Sequence, residues 1–225
     1  HSAVIGSGAL ADFEGHLYMG TSSWLSCHIP IKKTDLLNNQ AALPSAVPGR
    51  YFLANEHEVG GGALLWLRDE IKLVSDYDEA NALAAMSPVG SNKVIFTPWL
   101  NGERTPVDDH TIRGGWNNLS LSNDRADMVR AVFEGVAFNS RWLLDVVEKF
   151  VKQPLDGLNF IGGGALSDLW CQIHADVLDR TIRRVAEPQH ANSRGAAFVA
   201  WLALGRHTLD DLNKAVTIER EFTPD

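Results

Sequence analysis

Glycines 162, 163 and 164 stand between an apolar run, "LNFI", and the amphipathic segment "LSDLWCQIHADVL". Glycine between a strand and a helix lets the main chain turn sharply or approach a ligand closely, and the first helical amides remain available to an anion. Three other small-residue turns share this character: "GTSS" at 20–23, "GGGA" at 60–63 and "RGG" at 113–115. Three of the four fall at the end of a predicted strand or the start of a predicted helix. That placement suits a phosphate, or a flat base packed against main chain. Thr21, Ser22 and Ser23 add hydroxyl donors beside Gly20. Taken singly, each turn reads first as an ordinary chain reversal. None fits G-x-x-x-x-G-K-[ST], and 162–167 lacks the dinucleotide-binding spacing. Together they raise a nucleotide site without securing it.

Other clusters read as structural. In "EHE" (56–58), Glu56 and Glu58 share one side of an extended segment and His57 faces the other, so a solvated or turn-stabilising cluster is expected rather than a metal site. His174 and Asp176 sit two apart on a predicted helix and share no face. Arg104, beside Glu103 in "NGERTP", can reach a phosphate or pin its loop through a carboxylate, and the second role is preferred. No nucleophile-elbow pattern is present, and no residue stands out as a general base. Cys27 and Cys171 have no zinc or disulfide spacing and read as buried, reduced thiols.

These residues must be positioned by alternating elements. Residues 14–30 predict a hairpin around Gly20, Thr21 and Ser22, and 51–55 a short strand after the Pro-rich punctuation "LPSAVPGR". A helix is predicted over 60–73, with Leu64, Leu67 and Ile71 at helical spacing, and a short one over 78–86. A strand at 93 leads into the "NGERTP" loop. The longest pattern, 122–151, places Met128, Val129, Val132, Phe133, Val136, Leu143 and Val147 in one stripe. Ser122 or Asn123 is its expected N-cap, with Asp124 and Asp127 at the positive end of its dipole. Strand 157–161, helix 166–178, strand 181–185 and helix 192–205 follow, then amphipathic "TLDDLNKAV" and a polar tail. Such alternation predicts an α/β layered fold with parallel pairing, in one domain.

The 225 residues carry a formal net charge of -8, which argues against nucleic-acid or anionic-membrane partners. No apolar run approaches the ~20 residues of a membrane span, and no signal peptide is evident, so a cytoplasmic location is expected. The chain opens without Met, inside a predicted small-residue helix, as a piece of a longer protein would.

These pieces, in this order, resemble the C-terminal domain of the FGGY carbohydrate kinases. The resemblance covers essentially the whole chain and is carried by "GTSSWLSCHIP", "ANEHEVGGGALLWLRDEI", "PWLNGERTP", "RGGWNNLSLSNDRADMVRAVFEGVAF" and "GGGALSDLWCQIHADVLDR". The last three are the specific ones, and the wording is more similar to the xylulose-kinase branch than to glycerol kinases. Asn118 departs from the pattern, where the family often has glycine. The resemblance implies an actin-like ATPase (ribonuclease H-like) fold, an α/β domain with a mixed sheet flanked by helices. Residues 1–225 would be the single C-terminal nucleotide-binding domain of a two-domain sugar kinase, used with ATP and Mg2+. By motif, Gly20, Thr21 and Ser22 would approach the ATP phosphates, Gly61 would line the nucleotide pocket, and Gly163 and Gly164 would pack on the adenosine. Ser167 sits where glycerol kinases present an Asn. The family's catalytic aspartate maps two residues before His1, so no catalytic residue is expected within the chain and the fragment alone should be inactive. The implied partners are ATP or ADP and a sugar or polyol, a pentulose such as xylulose by preference. A face vacated by a second domain would favour self-association. The competing reading is a non-catalytic nucleotide-binding or interaction module of the same fold.

Overall fold

The computed structural model describes residues 2–225. After helix α1 (Ser2–Gly6), strands β1 (Gly15–Met19) and β2 (Ser23–Ile29) form the expected hairpin, with Tyr18 opposite Trp24. Strands β3 (Thr34–Asp35), β4 (Gln40–Pro44) and β5 (Tyr51–Ala54) continue the sheet antiparallel beyond β2. Helices α2 (Gly62–Asp69) and α3 (Tyr77–Met86) follow, then the small hairpin of β6 (Ile95–Thr97) and β7 (Gly115–Asn117). Helix α4 (Arg125–Val151) leads to β8 (Gly157–Ile161), α5 (Asp168–Leu178) and β9 (Thr181–Val185). The chain closes with α6 (Ala191–Ala203), α7 (Leu209–Ala215) and β10 (Ile218–Phe222).

Among the described residues, eight strands form one mixed sheet in the order β10-β9-β8-β1-β2-β5-β4-β3. Its centre is parallel, β8 running beside both β1 and β9, and its flanks are antiparallel. Alternation along the strands sorts the side chains onto two faces. Leu17, Met19, Leu25, Leu158 and Phe160 share a core with α4 and α5, whereas Tyr18, Trp24, Ile161 and Val185 pack with α1 and the start of α6. The sheet is thus covered on both sides.

Four boundaries differ from the sequence expectations. Asp124, not Ser122 or Asn123, caps α4: its side chain accepts from Asp127 N–H while the Asp127 carboxylate accepts from Asp124 N–H. Helix α2 is shorter than 60–73 and leaves Ile71 outside, exposed. Residues 163–166 form a 3-10 turn, so α5 starts at Asp168, where Ser167 caps it by accepting from Trp170 N–H at 3.0 Å. The polar tail pairs with β9 as β10, because Phe222 is buried at the sheet edge. Strands β3 and β7, of two and three residues, and β4, whose Gln40–Pro44 has no β-branched or aromatic residue and ends on an exposed proline, were also not foreseen. Asn118 adopts φ 63, a left-handed turn conformation that Asn tolerates in place of glycine.

Candidate functional site

The turn between β1 and β2 is closed by Gly20 N–H donating to the Ser22 carbonyl at 3.0 Å. Its own carbonyls then cap α2: Gly61 N–H donates to Gly20 O at 2.7 Å, and Gly60 and Gly62 N–H donate to Thr21 O at 2.8 and 2.9 Å. The amides at the start of α2, expected to stand open for an anion, are therefore satisfied by the neighbouring turn. What remains free for a ligand there is the exposed side chain of Thr21, whose own N–H closes none of these turn bonds.

The second glycine turn arrives beside the first because β8 lies parallel to β1, with Tyr18 opposite Ile161, so both strands end together. Gly162 turns the chain at φ 92, and a Cβ there would lie 2.4 Å from the Met19 carbonyl. A Cβ on Gly164 would lie 2.3 Å from Met19 Cγ. These two glycines are required by the protein's own packing. Gly163 differs: it is exposed, and no atom lies within 4 Å of a Cβ built on it. Its open face borders a cavity.

That cavity, about 430 Å3, opens at the carboxyl ends of the parallel strands, where α/β sheets commonly bind ligands. Gly20, Thr21 and Gly61 line it from the first turn and the start of α2, and Gly163, Gly164 and Ser167 line it from the second turn. Six of the seven residues singled out in the sequence thus meet at one site. Ser22 does not line it; its carbonyl is engaged within the turn. Turn 113–115 runs into β7 and contributes nothing to the lining. Residues the sequence did not mark complete the walls: Leu64 and Leu65 from α2, and Tyr77, Asp78 and Asn81 from α3. Phe133 and Trp170 are both buried at the cavity, their ring centroids 5.1 Å apart, and Trp170 Nε1–H donates to Phe133 O at 3.0 Å. Two glycines and apolar side chains make a slot suited to a planar ring.

The remaining candidates are paired with, or buried in, the protein itself. Arg104 bridges Glu56 at 2.7 Å and Glu58 at 2.5 Å. Buried Glu103 accepts from Asn139 Nδ2 at 2.6 Å and from the N–H groups of Glu58 and Arg104, both at 2.9 Å, while burial pushes its carboxyl pKa up. His57 is fully buried without a polar side-chain partner, and desolvation lowers its pKa to about 3. His174 Nδ1 lies 2.8 Å from Trp170 O, with a pKa lowered to about 4 by burial, and Asp176 instead accepts from Gln172. Both cysteines are free and buried. Among the described residues, no three His, Cys, Asp or Glu side chains cluster to hold a metal, and no helix is long and apolar enough to cross a membrane.

Residues 16–204 match the family model described as FGGY family of carbohydrate kinases, C-terminal domain. The chain belongs to this family. It is similar to a xylulose kinase of Staphylococcus epidermidis, 31% identical over 202 residues that cover 90% of this chain and 40% of that protein. It is also similar to a glycerol kinase of Natranaerobius thermophilus, 32% identical over 80% of this chain and 36% of the relative. The chain therefore spans well under half the length of these FGGY relatives. Among solved structures, ligand-bound xylulose kinase from Lactobacillus acidophilus superposes with a TM-score of 0.86 at 27% identity, over 100% of this chain and 45% of the other. Plasmodium falciparum glycerol kinase with ADP shares the fold at 22% identity, TM-score 0.83, over 100% of this chain and 45% of that one. The mixed sheet covered by helices is thus the actin-like ATPase arrangement of FGGY kinases.

Proposed function

We propose that the cavity receives ATP, and that residues 1–225 are the nucleotide-binding domain of a two-domain kinase. That kinase would transfer the γ-phosphoryl group to a hydroxyl of a sugar or polyol. The observation that carries this reading is the convergence of two glycine turns, about 140 residues apart in sequence, on one cavity that an exposed threonine and an apolar slot share. The adenosine would lie between Gly163–Gly164 and the Leu64–Leu65 wall, over Phe133 and Trp170. The phosphates would extend towards Gly20 and the Thr21 hydroxyl.

Phosphoryl transfer requires an in-line acceptor, neutralised charge and a base near the attacking hydroxyl. This chain supplies nucleotide positioning. Asp78, on α3, is the one carboxylate among the cavity's lining residues. Among the described residues no three His, Cys, Asp or Glu side chains cluster, so Mg2+ would enter on the phosphates themselves. Deprotonation of the acceptor belongs to residues outside the cavity described, and closure of two domains would exclude water as a competing acceptor. For the acceptor we favour a pentulose such as xylulose, supported by the xylulose kinases matched over nearly the whole chain. A cytoplasmic location goes with that chemistry.

Calorimetric titration of the chain with ADP, ATP and their magnesium complexes tests the site. Gly163→Leu fills the open face of the turn and should weaken nucleotide binding by about tenfold or more, and Thr21→Val should weaken it by less. Unchanged affinity in both variants overturns the assignment.

A further inference from the structure

Apart from Thr21 and the Trp170 indole, the polar side chains that line the cavity are few: Tyr77, Asp78 and Asn81 on α3, and Ser167 ahead of α5. Of these, Asn81 and Ser167 are joined to each other, the Ser167 hydroxyl donating to Asn81 Oδ1. The other bonds of the pair fix its polarity. Asn81 Nδ2 donates to the Tyr77 carbonyl at 2.7 Å, and a carbonyl can only accept. Ser167 Oγ already accepts from Trp170 N–H at 3.0 Å, which leaves its hydrogen for Asn81 Oδ1. Turning the amide over would set Oδ1 against the Tyr77 carbonyl, two acceptors facing each other. The side chain is therefore held one way round, with one Oδ1 lone pair and one Nδ2 hydrogen not used by the protein.

We infer that Asn81, oriented by Ser167 and by the Tyr77 carbonyl, selects an adenine over a 6-oxopurine in this cavity. The inference rests on the nucleotide reading above and deepens it by naming the residue that discriminates between bases. An acceptor beside a donor matches adenine, whose 6-amino group donates next to a ring nitrogen that accepts; Asn pairs with adenine in this bidentate way elsewhere. A 6-oxopurine presents an acceptor where adenine presents a donor, so its oxygen would face Oδ1. A freely rotating Asn could adapt by flipping; this one is prevented by its two partners. Asp78 can only accept and disfavours the same oxygen, and Tyr77 hydroxyl both donates and accepts, so neither supplies the paired edge. The indole N–H of Trp170 is engaged with Phe133 O and is not available to the base.

Inosine diphosphate separates this from general purine binding, because it differs from ADP at the 6-position and the adjoining ring nitrogen alone. Calorimetric titration of the chain should give ADP about tenfold or more tighter than IDP, the size of one good bidentate contact. In Asn81→Ala the ratio should fall to within about twofold, mainly through weaker ADP binding. Asn81→Leu, which removes both polar atoms while filling the space of the amide and favouring the helix more than Asn does, carries the same expectation should the alanine variant fold poorly. Ser167→Ala, which frees the amide but leaves it in place, should give an intermediate ratio. A wild-type ratio near one, or a wild-type ratio preserved in a folded Asn81 variant, overturns the inference while leaving ADP binding itself intact. Failure of the wild-type chain to bind either nucleotide overturns the nucleotide reading, and this inference with it.

Discussion

Two adjacent glycines with different surroundings give the sharpest residue-scale contrast. Gly163 faces open space and Gly164 faces Met19, so alanine should act on different properties at the two positions. Gly164→Ala forces Met19 or the turn to move and should destabilise the fold by about 1–3 kcal/mol, read by urea denaturation, whereas Gly163→Ala should leave stability within about 0.5 kcal/mol. Equal losses would contradict the separate roles. The buried histidines make a second residue-scale prediction. His57 has its pKa lowered from 6.5 to about 3, by desolvation. Between those values the unfolded chain carries the extra proton, so stability is full above pH 6.5 and declines as the pH falls towards 3. From pH 7 to pH 5 this one residue should account for about 2 kcal/mol. His57→Leu should reduce the pH 7 to pH 5 stability difference by about that amount, and an unchanged difference would show that His57 titrates normally. Nothing in a residue-by-residue reading distinguishes Gly163 from Gly164, since both are simply glycines in a row.

At the scale of elements, periodicity was enough where an element buries one continuous stripe. Helix α4 and strands β8 and β9 were legible because their apolar spacing is set by burial against a neighbour. Strand β10 was not, because an edge strand with one buried residue among charged ones looks like a solvated tail. The cap of α4 was misplaced by one or two residues because Ser122, Asn123 and Asp124 are all good caps in isolation. The choice fell to the reciprocal bond with Asp127, which is held in turn by the Ser87 hydroxyl at 2.6 Å and Asn92 Nδ2 at 2.9 Å. Asp124→Ala should therefore cost about 1 kcal/mol and Ser122→Ala less than about 0.5, measured by thermal unfolding. The reverse order would return the cap to Ser122.

For the whole molecule, the site depends on the sheet order: β8 is inserted next to β1 although more than 130 residues separate them in the chain. A ligand that bridges the two turns ties distant segments together in the folded state only, so it must stabilise folding. ADP at about 100 times its dissociation constant should add about 2.7 kcal/mol and raise the melting temperature by about 5–10 °C, checked by scanning calorimetry. No shift at saturating ADP would count against the nucleotide reading. The FGGY relatives are more than twice as long as the matched segment, and under the proposed reading the cavity supplies only one wall of a phosphoryl-transfer site. Sugar phosphorylation by the 225 residues alone would therefore overturn the division of labour proposed here.

By itself, the sequence determined the alternation of strands and helices, the family, and six of the residues that meet at the cavity. Glycine runs and apolar spacing are local signals, set by what one segment can do with its own backbone and one buried face. Only the tertiary structure decided that the α2 amides are taken by the Gly20 turn, that Gly164 serves Met19 while Gly163 faces the cavity, and that Asn81 is locked by Ser167. Each of these depends on which atoms of a remote segment arrive within hydrogen-bonding or contact distance, and chain order does not encode that distance.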